Sequence, residues 1–166
     1  MKTLRYLALG SAFLLYAGTV HSAGRTIYPA VGQARADIAA ALHSAAASHK
    51  NVLIDFGGDW CVDCVALDRY FHDTRNLPIL NANYVLVYVN VGREMNENTE
   101  IAERYGIPLS KGVPALAVLS STGKLLYSQS SGQFNNMSHM QSSAVTQFLI
   151  KWKPVKPGCS VVAVNC

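Results

Sequence analysis

Two cysteines separated by two residues, Cys61-Val62-Asp63-Cys64, are the side chains of this sequence best placed to do chemistry. They follow an apolar run at 52–56 and the pair Gly57-Gly58, and they open a stretch with helix-forming character through Val65, Ala66, Leu67 and Arg69. A strand that turns on glycine into a helix sets the first sulfur beside backbone N–H groups without intrahelical partners, at the positive end of the helix dipole. That setting favours thiolate over thiol, and thiolate is the reactive form. Cys64 follows one helical turn later, close enough to close a disulfide with Cys61.

Two acids near the cysteines modify this picture. Asp55 interrupts an otherwise apolar, β-branched and aromatic run that reads as an interior strand. An acid there is costly to ionise without partners, so its pKa is expected to be raised. Asp63 lies between the cysteines, where a carboxylate disfavours the thiolate and opposes the helix dipole. The expected consequence is a lower reduction potential than that of a strong oxidant. Asp63 is expected to be exposed, and so well screened.

The segment Asp55-Phe56-Gly57-Gly58-Asp59-Trp60-Cys61-Val62-Asp63-Cys64 and the later Gly112-Val113-Pro114-Ala115 together resemble the active-site segment and cis-proline loop of the thioredoxin superfamily. Within that superfamily they are most similar to periplasmic thioredoxin-like domains, including the C-terminal domain of the transmembrane reductase DsbD. The likeness runs over residues 30–153. It implies a thioredoxin fold, an α/β architecture whose mixed central sheet carries helices on both faces. It also implies a thiol–disulfide oxidoreductase without a cofactor, in which Cys61 attacks and the more buried Cys64 resolves the mixed disulfide. Trp60 would pack beside the sulfurs and shape the docking surface. Pro114 would be cis and face Cys61, leaving the Val113 N–H and C=O to pair with an extended substrate. Asp55 would accept the proton of Cys64 through water.

Three departures from the thioredoxin pattern bear on that chemistry. Asp63 replaces part of the Gly-Pro dipeptide. Tyr88 falls where thioredoxins carry a lysine paired with the buried aspartate, which puts the proton-relay arrangement in doubt. Pro108-Leu109-Ser110-Lys111 is an addition before the proline loop that could reshape docking.

The elements that must position these residues are legible in outline. A short first strand is expected at 26–28. Residues 33–48 place Ala34, Ile38, Ala41, Leu42 and Ala45 on one side of a helix, with His43 and His49 as solvated side chains. Asn76-Leu77-Pro78 marks a break, since the residue before proline resists the α region. A second strand follows at 84–91, then a short helix at 97–105 closed by Gly106 and Pro108. Strands after Pro114 and at 125–128 are joined by the turn Ser121-Thr122-Gly123-Lys124. A last helix at 138–152, capped by Ser138, lays Val145, Phe148, Leu149 and Trp152 on the sheet.

The ends of the chain suggest where it works. Residues 1–23 carry Lys2 and Arg5, then an apolar core, then small residues, the pattern of a signal peptide cleaved after Ser22 or Ala23. An uncleaved anchor is the alternative, although the apolar core falls short of the roughly 20 residues of a spanning helix. Export to the bacterial periplasm, or secretion, is therefore expected. Removing Lys2 and Arg5 leaves 12 basic against 10 acidic residues. So small a surplus implies neither a nucleic-acid surface nor a polybasic membrane patch. The division is a signal peptide at 1–23, a thioredoxin-like domain at 24–153 and a tail at 154–166.

Four cysteines in an exported chain invite pairing. Cys61 with Cys64 and Cys159 with Cys166 is the favoured connectivity, the second pair tying down the tail as a structural bridge or serving as a second redox pair. A different class of function stays open: the four cysteines as a zinc site, or the first pair as a copper carrier. Free-thiol titration with and without a chelator separates the two. As an oxidoreductase the protein is expected to act on cysteine-containing envelope proteins, reductively and with a membrane electron donor, with oxidase or isomerase action as the alternative direction.

Overall fold

The apolar run carrying Asp55 becomes the strand on which the fold is centred. The computed structural model describes residues 25–155, so the expected signal segment and the expected Cys159–Cys166 bridge lie outside the described residues. Strand β1 (Asn51–Gly57) is buried along its whole length. It pairs in parallel with β2 (Tyr84–Asn90) and antiparallel with β3 (Ala115–Leu119), which in turn pairs antiparallel with β4 (Leu125–Ser128). The order is β2-β1-β3-β4, a mixed sheet. A strand flanked on both edges and covered on both faces reads as a continuous apolar run, and this is why 52–56 lacks polar alternation.

Side chains of β1 point alternately to the two faces and so divide the core. Val52, Ile54 and Phe56 pack with Ile38, Ala41 and Ala45 of helix α1 (Ala34–Ser48) and with Ile101 of α4 (Thr99–Arg104). Leu53 packs on the other face with Leu67 and Phe71 of α2 (Val62–Phe71), Leu80 of α3 (Asn76–Asn83), and Phe148 and Leu149 of α5 (Ser142–Lys151). Helices therefore cover both faces, the architecture that the resemblance implied.

Three local expectations are corrected. Residues 26–28 form no strand; the N–H groups of Ile27 and Tyr28 donate instead to the Asp59 carboxylate, at 2.9 and 3.3 Å, and Pro29 follows at once. Pro78 does not interrupt the chain. It sits in the first turn of α3, where a missing N–H removes no helical bond. The break comes earlier, at Asp73, whose carboxylate accepts from the N–H of Arg75 and of Asn76. The last helix begins at Ser142 rather than 138, because Met137–His139 forms a separate 3₁₀ turn and Gln141 occupies the N-cap. Ser138 does not cap; its backbone N–H donates to Asp63 at 2.7 Å.

Candidate active site

Strand β1 delivers Asp55 and ends on Gly57, and α2 begins at Val62 with Cys61 as its N-cap. Cys61 is extended, and its sulfur accepts the Cys64 N–H at 3.1 Å. One of the free donors of the helix start thus points at the sulfur expected to become thiolate. Cys61 and Cys64 are joined as a disulfide with Cα atoms 5.2 Å apart. Cys61 keeps 8% of its surface and Cys64 none. Cys64 is the more buried of the two, as expected, although Cys61 is itself largely covered.

Opposite the pair, the Val113–Pro114 peptide is cis and the Val113 carbonyl oxygen lies 3.7 Å from Cys61 Sγ. Gln129, itself buried, braces this loop: its side-chain amide donates to the Pro114 carbonyl at 3.0 Å and accepts the Leu116 N–H at 3.3 Å. No backbone partner among the described residues engages the Val113 N–H or C=O. The added Leu109–Lys111 forms a 3₁₀ turn beside it. Trp60 is half-buried, packed against the sulfur-bearing core, and its Nε1 has no hydrogen-bond partner among the described residues. A Cβ on Gly58 would overlap the Trp60 ring, so glycine is required there by close approach.

Asp63 differs from expectation. It is half-buried, not exposed, and its carboxylate is committed to the Ser138 N–H, which ties the start of α2 to the segment before α5. Asp55 behaves as anticipated: fully buried, with its carboxyl pushed well above the usual carboxylate range by loss of solvent. The like charge of Asp68 adds to that push, and a hydrogen bond from Tyr28 opposes it.

That Tyr28 bond is the feature sequence reasoning missed. Its hydroxyl donates to Asp55 Oδ2 at 2.9 Å inside the protein, while Asp55 Oδ1 has no partner among the described residues. Tyr88, the residue standing where a lysine was expected, is the β2 partner of Asp55 in register but donates its hydroxyl to Asp68 Oδ1 at 2.7 Å. Asp68 lies one turn below Cys64 on α2 and is also approached by His72 Nδ1 at 3.2 Å and Arg25 at 3.6 Å. Tyr28 and Tyr88 meet edge to face, with ring centroids 5.2 Å apart. Asp59, Gln129 and Asp68 were missed as well. Nothing in the sequence marks a tyrosine 27 residues upstream as the partner of Asp55.

Among the described residues no group of three or more His, Cys, Asp or Glu side chains could hold a metal ion, and no helix is long and apolar enough to cross a membrane. Cys159 and Cys166 lie outside those residues.

Known proteins are similar to this chain. A solved disulphide isomerase from Xylella fastidiosa Temecula1 is 30% identical; the match covers 78% of this chain and 98% of that one, with a TM-score of 0.72. The thiol:disulfide interchange protein DsbD of Photorhabdus laumondii subsp. laumondii is 26% identical over 77 residues, and that of Vibrio cholerae serotype O1 is 24% identical over 88. Those matches cover 46% and 53% of this chain but only 13% and 14% of the DsbD proteins. A disulfide at a helix start, facing a proline loop, is the equipment of a thiol–disulfide oxidoreductase. A family model described as Thioredoxin-like matches residues 33–121, and the chain belongs to that thioredoxin-like family.

Proposed function

We propose that the protein is an exported thiol–disulfide oxidoreductase that reduces disulfides of cysteine-containing envelope proteins. The observation that carries this reading is the Cys61–Cys64 disulfide at the start of α2, with the Cys64 N–H on Cys61 Sγ and the Val113–Pro114 loop facing it. In the reduced protein the Cys61 thiolate attacks one sulfur of a substrate disulfide, and the other substrate sulfur leaves as thiolate. Cys64 then loses its proton to Asp55, directly or through one water, and attacks Cys61 Sγ. The Cys61–substrate bond breaks, the substrate leaves fully reduced, and the two electrons it gained leave Cys61 and Cys64 as the disulfide. Val113 and Pro114 present a backbone edge to the substrate, and Trp60 walls the site.

A reductase in an oxidising compartment needs recharging, and a membrane electron donor fits, because the envelope holds no soluble thiol pool. The charged, apolar and small-residue pattern of residues 1–23 and the names of the DsbD relatives support this placement. A second reading, disulfide shuffling by the same residues, is favoured by the Xylella relative, which is described as a disulphide isomerase.

The test is the equilibrium reduction potential of Cys61–Cys64 with Cys159→Ser and Cys166→Ser in place. A value below about −220 mV places the protein with reductases such as thioredoxin. A value above about −180 mV, towards protein disulfide isomerase and DsbA, means that it makes or shuffles disulfides.

A further inference from the structure

We propose that Tyr28 is a positioning residue for the cysteine exchange: its hydroxyl, donated to Asp55 Oδ2, holds the carboxyl so that Oδ1 is the oxygen left to take the proton of Cys64. The inference rests on the reading of Asp55 as proton acceptor and assigns the group that makes it one.

The geometry converges at the end of β1. A Cβ built on Gly57 would lie 2.6 Å from the Tyr28 hydroxyl oxygen and 2.8 Å from Cys64 Sγ, so phenol and sulfur flank the same point. Tyr28 is 1% exposed and Asp55 is fully buried, so no solvent competes for their 2.9 Å bond. Asp55 has no other hydrogen-bond donor among the described residues, and Oδ1 is free.

The groups around Asp55 give this donor its importance. On the β2 side stands Tyr88, whose hydroxyl is already spent on Asp68. On the β3 side the register partner is Leu116, which is apolar. From α2 come Cys64 and Asp68, and the cationic groups nearby, Arg25 and His72, are drawn to Asp68. Among the described residues no ammonium or guanidinium reaches Asp55, so a neutral phenol is what offsets burial. Hydrogen bonding to the ionised form of a carboxyl favours that form. Without the phenol, Asp55 would hold its own proton more firmly and would be ionised to accept that of Cys64 less often.

Tyr28 is held as a positioned group must be. Asp59, two residues before Cys61, accepts the N–H groups of Ile27 and Tyr28; Asn90 donates to the Pro29 carbonyl at 3.1 Å; and Tyr88 supports the ring edge-on. The motif residue Asp59 therefore fixes the segment that delivers the phenol.

The experiment pairs Tyr28→Phe with 3-fluorotyrosine at position 28, in the full chain with Cys159→Ser and Cys166→Ser. Phenylalanine removes only the hydroxyl; fluorotyrosine keeps the shape and strengthens the donor. Two quantities are followed: the Asp55 titration by carboxyl ¹³C NMR, and the pH profile of substrate release from a Cys61 mixed disulfide. One lost hydrogen bond to the ionised form is expected to raise the Asp55 titration by about one pH unit in Tyr28→Phe, slowing release at neutral pH about tenfold. Fluorotyrosine is expected to move both in the opposite direction, which a packing role would not do. An Asp55 titration unmoved by either change, or moved the same way by both, overturns the proposal. Should Tyr28→Phe unfold, the fluorotyrosine shift decides alone. Asp55→Asn is run in parallel: a release profile identical to that of the wild type defeats the proton-acceptor reading itself, whereas an altered profile with an unmoved Tyr28 series defeats only the role of Tyr28.

Discussion

Gly57 stands where two functional side chains converge, and its lack of a side chain is a structural requirement. A methyl group there would press on the Tyr28 hydroxyl and on Cys64 Sγ, and neither can yield without leaving Asp55 or the disulfide. Overpacking of this kind costs about 1–3 kcal/mol. Gly57→Ala is therefore expected to lower stability in chemical denaturation by that amount and to slow thiol–disulfide exchange by about tenfold or more. Wild-type turnover in a folded Gly57→Ala protein would contradict the convergence described above.

Asp55 also carries a stability signature with a defined sign. Its native pKa lies above the unfolded value of about 3.9, so the native state binds the proton more tightly than the unfolded chain. The contribution is fully present below about pH 4 and is lost as pH rises through the native pKa, at up to about 1.4 kcal/mol per unit. Asparagine keeps the acceptor for Tyr28 and has nothing to titrate. Thermal unfolding of Asp55→Asn should match the wild type near pH 4 and exceed it at pH 8. A difference independent of pH would mean that Asp55 is not the titrating group.

Between elements, the polar junction of α3 and α5 does what apolar contact alone would not. Asn76 is completely buried; its amide donates to the Tyr70 carbonyl at 2.8 Å and the Ser142 hydroxyl at 3.0 Å, and its oxygen accepts from Thr146 at 2.6 Å. Ser142 in turn donates to Asp73, whose carboxyl is held below its ordinary pKa by these bonds although burial opposes them. Asn76→Ala removes the Asn76 bonds to Tyr70, Ser142 and Thr146 together from a buried junction, and a loss of about 2–3 kcal/mol in chemical denaturation is expected, with an unchanged denaturant slope. The junction also explains why the sequence misled at this point. Asn76-Leu77-Pro78 carries the signal of a helix boundary, and that signal is genuine, but it marks a start instead of a stop. Pro78 in a first turn and Pro78 after a last turn look alike until Asp73 is seen accepting the N–H groups of Arg75 and Asn76. The misplaced start of α5 has a similar cause: Ser138 has the residue type of a cap, yet its N–H goes to Asp63 of α2. What was legible is what local chemistry decides, the apolar strands and the helix-opening cysteines, whereas the cis form of Pro114 was implied only by the resemblance. Partners distant in sequence, such as Tyr28 for Asp55 or Gln129 for Pro114, leave no local trace.

Across the whole molecule, two influences compete for the redox balance of Cys61. The Cys64 N–H and the dipole of α2 stabilise a thiolate, and whatever stabilises the reduced form makes the pair more oxidising. Against them stand three carboxyl groups, two on α2 itself, Asp63 within the motif and Asp68 one turn below Cys64, and a third, Asp55, from β1. Asp55 and Asp68 are buried, where charge is poorly screened, so at a pH at which Asp55 has lost its proton their repulsion of a thiolate is expected to outweigh one backbone donor. The fold should therefore favour the disulfide over the dithiol. Because potential and stability are linked, with about 1.4 kcal/mol per 30 mV for a two-electron couple, the preference can be read without any partner protein. Denaturant unfolding of the oxidised and the reduced protein, with the tail cysteines replaced by serine, should show the oxidised form to be the more stable. In Asp55→Asn the gap should narrow at a pH where the wild-type Asp55 is ionised, since one buried charge no longer opposes the thiolate. A reduced form more stable than the oxidised one would mean that the start of α2 dominates, and would turn the direction of electron flow towards oxidation.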